Sequence, residues 1–418
     1  MVHSTRREFL TAAGAASLAI PMNVHPGGGD LLKIGLVGCG GRGTGAAANA
    51  LAADPNVKLV AMGDAFENRL KKSLETLQGD EKVGAKVDVK PEGCFSGFDA
   101  YKGVIAASDV VLLCEPPHFR PAHFKAAVEA GKHVFAEKPV AVDGPGVRAV
   151  IAACEEARRK KLSVVSGLCL RYSKSFREGV RRIHDGAIGE VVAVQANDYR
   201  GGRWAKPRLE AWDDMTYQMR NWYNFTWLSG DFNVEQHVHF LDIGAWVMRD
   251  RYPAKAVGMG GRSVLMEPQY GNIYDHFSIA HEYEDGVKFY SNTRQHAGCK
   301  NDSSTEVLGT KGRAYLSEGR MVLTGPQAWE KKDKDNEFYQ TEHDELFRSI
   351  RSGTPLDNGD YMAKSTLLAI QGRMAAYTGQ QIGWDQALNS KEDLSPAKYE
   401  WGPLAAAPVA IPGRTKFS

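Results

Sequence analysis

KIGLVGCGGRGTGAA, residues 33–47, joins a short apolar strand directly to a helix through a glycine-rich turn. Gly38, Gly40 and Gly43 have the spacing G-x-G-x-x-G. The first glycine permits a tight turn, the second lets a ligand approach the backbone, and the third allows close packing of helix on strand. The helix N-terminus adds free N–H groups and positive dipole, which favour phosphate. We therefore predict a pyrophosphate site made of Gly38, Cys39, Gly40, Gly41, Arg42 and Gly43.

The next strand ends in an acidic residue, Asp64, 21 residues after Gly43. A carboxylate at that place accepts hydrogen bonds from both hydroxyls of an adenosine ribose. It would repel the 2′-phosphate of NADP, so the sequence favours NAD. Arg42 leaves the alternative open, because a guanidinium beside the loop could pair with that phosphate.

Apolar runs alternate with helical stretches as far as residue 166. The predicted strands are Lys33–Val37, Val57–Met62, Asp109–Cys114, His133–Ala136 and Ser163–Ser166. The predicted helices are Gly43–Ala53, Glu67–Leu77, Pro121–Ala130 and Gly144–Lys160. Such strands separated by helices indicate a parallel sheet covered on both faces. We expect an α/β Rossmann domain, a doubly wound parallel sheet, over residues 31–165.

A different pattern, of longer alternating strands, begins after Ile188. These strands are predicted at Glu190–Tyr199, Lys255–Val264, Tyr274–Tyr283, Val287–Thr293 and Ser304–Leu308, with helices at Glu342–Arg351 and Tyr361–Tyr377. Alternation favours an antiparallel sheet with one face in solvent or in an interface. We predict an α+β domain with a large, mostly antiparallel open sheet over residues 166–385. The tail, residues 386–418, is expected to be an extended strap or a disordered end.

Length and composition exclude several classes of protein. A chain of 418 residues exceeds what one hydrophobic core usually supports, so two domains are expected. The net charge of +2 gives no electrostatic footprint for nucleic acid or an anionic membrane. The six cysteines have neither metal nor disulfide spacing, so we predict reduced packing residues.

The N-terminus resembles an export signal. Thr5-Arg-Arg-Glu-Phe-Leu10 reads as a twin-arginine motif, and the apolar run Ala12–Ile20 that follows is too short to span a bilayer. The twin-arginine route exports folded proteins, commonly with a cofactor inside. We assign residues 1–30 to a leader and predict a periplasmic or otherwise exported protein without a membrane span.

Two short motifs follow predicted strands of the first domain, at the sheet edge where ligands bind. They are Glu115-Pro-Pro-His118 and Glu137-Lys-Pro139. With GCGGRG, Asp64, EPPHFRPAH, AGKHVFAEKP, LRYSKSF and EQHVHFLD, the chain from Lys33 to about Gly379 resembles the Gfo/Idh/MocA family of oxidoreductases. The family includes glucose-fructose oxidoreductase and inositol dehydrogenase.

The resemblance implies roles for the residues of both motifs. The family's lysine in E-K-P lies beside the nicotinamide and the reacting sugar carbon, and Lys138 matches it. An ammonium there can favour a developing alkoxide. Glu137 is expected to position Lys138 or the nicotinamide ribose. Pro116 and His118 match positions that border the cofactor, whereas Glu115 departs from the usual threonine.

The family's second catalytic element is a D-x-x-x-H pair, and the matching stretch here begins with Glu235 in place of Asp. On a helix Glu235, His239 and Asp242 share one face, at i, i+4 and i+7. We predict His239 as the general base or acid and Glu235 as its catalytic partner. Asp242 is a candidate substrate contact, and His237 lies on another face. A metal site on that face is an alternative, although the resemblance implies no metal.

An aromatic-rich segment indicates the class of substrate. Residues 204–227 contain Trp204, Trp212, Tyr217, Trp222, Tyr223, Phe225 and Trp227. Aromatic rings stack on sugar C–H faces, so Trp222 and Tyr223 are predicted substrate contacts. A hydrophobic clamp between domains or subunits explains the same composition. Arg171 and Tyr172 resemble a family position near the substrate, or a hinge.

These features predict an exported NAD-dependent oxidoreductase that acts on a sugar, polyol or glycoside hydroxyl. Outside the cytoplasm no free NAD pool exists, so the cofactor must stay bound and return to its starting state. One alternative is an NAD-dependent glycosidase that works by transient C3 oxidation, elimination, water addition and re-reduction. A second is a noncatalytic sugar or nucleotide sensor. We also expect a homo-oligomer, a dimer or tetramer, formed through the C-terminal sheet.

Overall fold

The structure is a computed structural model that describes residues 30–418. The twin-arginine motif at residues 5–10 and the apolar run behind it lie outside the described residues. The described chain forms two sheets with helices packed around and between them.

The N-terminal domain is built on a six-stranded sheet in which all pairs are parallel. Its strands are β1 (Leu32–Val37), β2 (Val57–Asp64), β3 (Cys94–Ser96), β4 (Val110–Leu113), β5 (His133–Ala136) and β6 (Val164–Ser166). Its helices are α1 (Gly41–Ala53), α2 (Glu67–Gln78), α3 (Ala100–Ala107), α4 (Arg120–Glu129) and α5 (Gly144–Arg159). The order is β3-β2-β1-β4-β5-β6. This is the doubly wound Rossmann topology that the alternating pattern predicted.

The C-terminal domain is built on a nine-stranded sheet with the order β14-β13-β12-β11-β7-β10-β9-β8-β15. Its strands are β7 (Val191–Arg200), β8 (Lys255–Gly261), β9 (His276–Glu282), β10 (Lys288–Gln295), β11 (Asp302–Gly309), β12 (Arg313–Leu316), β13 (Met321–Thr324), β14 (Trp329–Glu330) and β15 (Ile382–Gly383). Its helices are α6 (Lys174–His184), α7 (Asp214–Arg220), α8 (Thr226–Ser229), α9 (Phe232–Glu235), α10 (Val238–Val247), α11 (Phe338–Ser352), α12 (Gly359–Thr378) and α13 (Trp384–Leu388). β7 and β10 are parallel and the other pairs are antiparallel. The mostly antiparallel sheet is confirmed.

One helix assigned by sequence to the second domain packs on the first. Leu346, Phe347 and Ile350 of α11 belong to the same buried cluster as β1 and α1. Arg351 at its end donates to Asp54 behind α1, at 2.8 and 2.9 Å. Helix α11 therefore ties the second domain to the first.

The tail is an ordered strap rather than a disordered end. It has no helix or strand after Leu388, but its backbone is tied at several points. The Leu394 N–H donates to Asp143 Oδ2 at 3.1 Å, and the Gly413 N–H donates to Thr378 O at 2.9 Å. The Lys391 N–H meets Ser418 O at 3.0 Å, so the two ends of the strap come together.

Two expectations from composition concern cysteines and membranes. All six cysteines, each within residues 30–418, are free, and Cys39, Cys154 and Cys169 are buried as packing residues. In the same part of the chain, no helix combines the length and the apolar character that a bilayer crossing needs.

Candidate active site

A cavity of about 330 Å³ lies between the two sheets, at the carboxyl ends of the Rossmann strands. The predicted residues that line it are Gly38, Gly40, Gly41, Arg42, Gly43, Asp64, Pro116, Glu137, Lys138, Trp222, Glu235 and His239. The predicted residues that do not line it are Cys39, His118, Arg171, Tyr172, Tyr223 and Asp242. The glycine loop, Lys138 and the Glu235–His239 pair thus meet in one cavity, whereas several predicted substrate contacts lie outside it.

The glycine loop has the shape of a phosphate cradle. Gly38 has a φ of +90°, and a Cβ on it would meet the Glu115 backbone nitrogen at 2.4 Å. A Cβ on Gly43 would meet Gly38 O at 1.9 Å, so helix and strand touch there. At Gly40 and Gly41 nothing lies within 4 Å of the Cβ position. This empty space at the start of α1 fits the pyrophosphate of a dinucleotide.

Asp64 closes β2 beside this loop and is fixed by backbone donors. Its Oδ2 accepts from the Cys39 N–H and its Oδ1 from the Phe66 N–H, both at 2.8 Å. Burial raises the pKa of the Asp64 carboxyl, and these two N–H groups oppose the rise. Cys39 therefore serves the loop through its backbone, while its buried thiol donates to Gly63 O at 3.4 Å.

Arg42 is engaged by two carboxylates. It donates to Glu137 and, at 2.6 Å, to Glu342 of α11, and its guanidinium lies over the Tyr339 ring. Burial alone would lower the pKa of Arg42, but Glu137 and Glu342 reverse this and raise it. The guanidinium is thus held on the Glu137 side of the cavity, which weakens the alternative that it binds a 2′-phosphate beside Asp64.

Lys138 and Glu235 form an ion pair across the crevice between the domains. Lys138 Nζ donates to Glu235 Oε1 at 3.0 Å and to Glu235 O at 2.7 Å, with side chains 12% and 11% exposed. Asp198 and Arg200, near the end of β7, pair with each other beside them. Burial raises the pKa of Asp198, and Arg200 and Lys138 counter it. One ammonium is therefore presented to the cavity among carboxylates.

The prediction that Glu235, His239 and Asp242 share one helix face is wrong. The helix is interrupted: α9 ends at Glu235 and α10 begins at Val238. Asp242 lies on α10 with His239 but does not line the cavity, because Arg171 binds its carboxylate, while Glu235 and His239 still line it. A sequence pattern that assumes one continuous helix could not locate this turn.

His239 is an uncharged imidazole in this environment. Enclosure, followed by the positive charges of Lys138 and Arg200, holds its pKa well below the usual value. Its Nδ1 is buried without a hydrogen-bond partner, which leaves Nε2 for the cavity. A neutral imidazole can accept a proton.

Arg171 and Asp242 bind each other instead of facing the cavity. Arg171 Nε and Nη2 each donate to an Asp242 oxygen at 2.8 Å, and Nη2 also donates to Asp250 at 2.6 Å. Ser365 donates to Asp242 at 2.7 Å. Tyr172 donates its hydroxyl to Asn358 at 2.6 Å. Arg171, Tyr172 and Asp242, which were predicted to contact substrate, are therefore bound to other side chains outside the cavity lining.

The alternative metal site on the face of Glu235, His239 and Asp242 is not among the clusters of metal-type ligands in residues 30–418. Within residues 30–418, the one set of three residues with converging metal-type ligand atoms is Asp275, His276 and His296, outside the cavity lining. The alternative of a metal on Glu235, His239 and Asp242 is not supported, because Glu235 pairs with Lys138 and Asp242 with Arg171.

The aromatic segment is mainly a clamp between the domains. Tyr217 and Phe225 form a buried cluster to which Phe66, Phe98 and Phe119 of the Rossmann domain contribute. Trp222 packs at its border and also lines the cavity. Tyr223 is buried, and its hydroxyl accepts from Gln295 at 3.4 Å. Of the two predicted substrate aromatics, the structure brings Trp222 to the cavity.

The Glu115-Pro-Pro-His118 turn is divided between two environments. Glu115 and Pro116 line the cavity, and Glu115 Oε1 lies 3.2 Å from His123 Nδ1. His118 faces the tail, where its Nε2 lies 2.8 Å from the Tyr399 hydroxyl. Burial lowers the pKa of His118 to about 4, so the ring is neutral.

Further lining residues were not predicted from sequence. They include Arg69, Arg120, Gln236 and Tyr339, and Glu342 joins them by holding Arg42. Arg120 lies within the quoted motif EPPHFRPAH, which was a usable signal. Tyr339 and Glu342 come from α11, about 300 residues from the glycine loop, and no local pattern marks them.

Two family models match the chain in succession. Residues 32–166 match the oxidoreductase family with an NAD-binding Rossmann fold, and residues 176–315 match the Gfo/Idh/MocA C-terminal domain. The chain belongs to the Gfo/Idh/MocA oxidoreductase family. The predicted membership is confirmed, and the Rossmann domain is of the NAD-binding type.

Several proteins similar to this chain are named as enzymes of inositols or aldoses. Myo-inositol 2-dehydrogenase of Thermotoga maritima is 23% identical, over 78% of this chain and 90% of the relative. Aldose-aldose oxidoreductase from Caulobacter crescentus has a TM-score of 0.66 and 19% identity, covering 84% of this chain and 99% of that one. Scyllo-inositol dehydrogenase from Lactobacillus casei, solved with NAD(H) and scyllo-inositol, has a TM-score of 0.64 and 18% identity, covering 85% and 100%. The structural likeness confirms the fold.

Proposed function

We propose that this protein oxidises a hydroxyl group of a sugar, polyol or glycoside, using an NAD that stays bound through the reaction cycle. The observation that carries the proposal is the Lys138–Glu235 ion pair, which presents an ammonium to the same cavity as the glycine loop and a neutral His239. The names of the inositol dehydrogenase relatives support the substrate class. A noncatalytic sensor would need no such arrangement.

The residues present fit a dinucleotide. The open backbone at Gly40 and Gly41 would hold the pyrophosphate, and Asp64 the adenosine ribose. When bound, the nicotinamide ring supplies hydride acceptance and return. Asp64, together with an Arg42 already paired to Glu137 and Glu342, supports NAD over NADP.

The chain's own groups would move the proton and stabilise charge. Lys138 Nζ would donate a hydrogen bond to the substrate hydroxyl oxygen and favour its developing negative charge. Glu235 holds that ammonium in place through its side chain and its carbonyl. His239 Nε2 would accept the hydroxyl proton, because the ring lines the cavity in its uncharged form.

Export through the twin-arginine route belongs to the same proposal. The motif Arg6-Arg7-Glu8-Phe9-Leu10 supports it. An exported enzyme cannot draw on a free NAD pool, which is why the proposal includes a retained cofactor and a second carbonyl substrate that restores it.

The test uses the purified full-length protein without added NAD. We expect free sugars or inositols to convert bound NAD to NADH, followed by its near-ultraviolet absorbance and fluorescence, and aryl glycosides to release no aglycone. Lys138→Met should lower the rate of this step by about 10²- to 10³-fold, because a charge-stabilising donor is lost. Lys334→Met, at a lysine whose side chain is 92% exposed, is the matched control and should keep the wild-type rate.

Aglycone release without net NADH would reject the oxidoreductase proposal in favour of the glycosidase mechanism. Full activity of Lys138→Met would reject the assigned role of the ammonium.

A further inference from the structure

A second, smaller cavity of about 60 Å³ adjoins Asp64 on the side away from Lys138. Its walls include Asp64, Ala65, Phe66, Phe98, Phe119 and Met219. With the pyrophosphate at the glycine loop and the ribose at Asp64, the adenine of a bound dinucleotide would be held by this aromatic cavity.

The C-terminal strap packs against the outside of the aromatic wall. The Trp401 ring lies 4.6 Å from Phe98 and 5.2 Å from Phe66, measured between centroids. The Tyr399 ring lies 6.0 Å from Phe98 and 5.8 Å from Phe119. These separations are typical of favourable aromatic pairs. All three phenylalanines of this wall, Phe66, Phe98 and Phe119, are therefore contacted by the tail.

The tip of the strap is fixed in place by polar contacts on both sides. The Tyr399 hydroxyl lies 2.8 Å from His118 Nε2 in the Rossmann domain. Just past Trp401, Gly402 O accepts from the Met215 N–H at 3.0 Å, and Gln218 donates to Leu404 O at 2.7 Å. The strap thus bridges α7 and the adenosine end of the Rossmann domain.

Trp401 and Tyr399 remain 42% and 43% exposed. Side chains that served only the core would be buried more completely. Their contacts concentrate on three phenylalanines, all of which line the smaller cavity. Their positions are those expected of residues that support the phenylalanine wall of the smaller cavity.

We propose that Tyr399 and Trp401 are positioning residues that hold Phe66, Phe98 and Phe119 against adenine and slow the release of the cofactor. The inference rests on the retained dinucleotide of the proposed function and assigns its retention to the tail. The ligand that the strap would help to retain is the adenosine half of NAD.

The test compares the two halves of the cofactor on the full-length protein stripped of nucleotide. We expect Trp401→Ala to weaken AMP binding and to speed NADH release by about five- to tenfold, because two aromatic contacts to the wall are lost. Binding of nicotinamide mononucleotide should stay unchanged, since that half lies towards Lys138. Trp401→Phe should restore most of the AMP affinity.

The matched control is Trp329→Ala, at the edge strand β14 of the other sheet, which should change neither affinity. Unchanged AMP binding in Trp401→Ala, or an equal loss for both half-cofactors, would overturn the proposal. These binding measurements use no sugar. A failure to oxidise sugars would therefore reject the proposed function, whereas the role of the tail is decided by the AMP and NADH measurements alone.

Discussion

At the scale of single residues, the glycines of the phosphate loop have separable roles. Gly43 has no room for a side chain because Gly38 O lies 1.9 Å from its Cβ position, whereas Gly40 faces open space. The first is needed for the fold, and the second keeps space for a ligand. Glycine is thus required at these two motif positions for different reasons: close packing at Gly43 and space for a ligand at Gly40.

We expect Gly43→Ala to lower the free energy of unfolding of the nucleotide-free protein by about 1 to 3 kcal/mol through overpacking. Gly40→Ala should leave that stability unchanged and weaken NAD binding by about tenfold or more, because its methyl group takes ligand space. Chemical denaturation and calorimetric titration measure the two effects. Gly45→Ala, where one atom lies within 4 Å, at 3.9 Å, is the control. Equal NAD affinity in Gly40→Ala and wild type would contradict this account.

Among the secondary-structure elements, α9 and α10 bring Glu235 and His239 to the cavity from either side of a break in the helix. Beyond the break, α10 is tied to the turn after β6 by the bidentate Arg171–Asp242 pair, both buried. The Arg171 guanidinium also lies 3.9 Å from the centre of the Tyr361 ring on α12. Three elements thus meet at one ion pair.

Arg171→Met should lower the free energy of unfolding by about 3 to 5 kcal/mol, because Asp242 would remain as an uncompensated buried charge. The double variant Arg171→Met/Asp242→Leu should recover most of that loss. Any activity of the folded single variant should show an unchanged KM. A raised KM with wild-type stability would instead place Arg171 at the substrate.

At the scale of the whole molecule, the outer face of the nine-stranded sheet carries exposed apolar side chains. Val257 and Tyr290 lie in one row with Ala280 between them, and Met259, the neighbour of Val257 on that face, is 71% exposed. Leu308 of β11 is also exposed. We propose that a second copy of the chain covers this face, as a sheet-mediated homo-oligomer requires.

Light scattering after gel filtration should give an oligomer for the wild type and a smaller species for Met259→Glu/Tyr290→Glu, because charge at the contact is costly to bury. Leu209→Glu, at an exposed apolar residue outside the sheet, should leave the mass unchanged. A monomeric wild type would contradict the oligomer.

Local sequence was sufficient to predict the Rossmann domain, its glycine loop, Asp64 and Lys138, because each depends on a strand, a turn and the residues directly after it. It also determined the mostly antiparallel second sheet through its alternation. The folded structure was needed to show that Asp242 binds Arg171, that Glu342 holds Arg42, and that the tail contacts the phenylalanines beside Asp64. Those contacts join residues far apart in the chain, and which of them form depends on how helices break and pack.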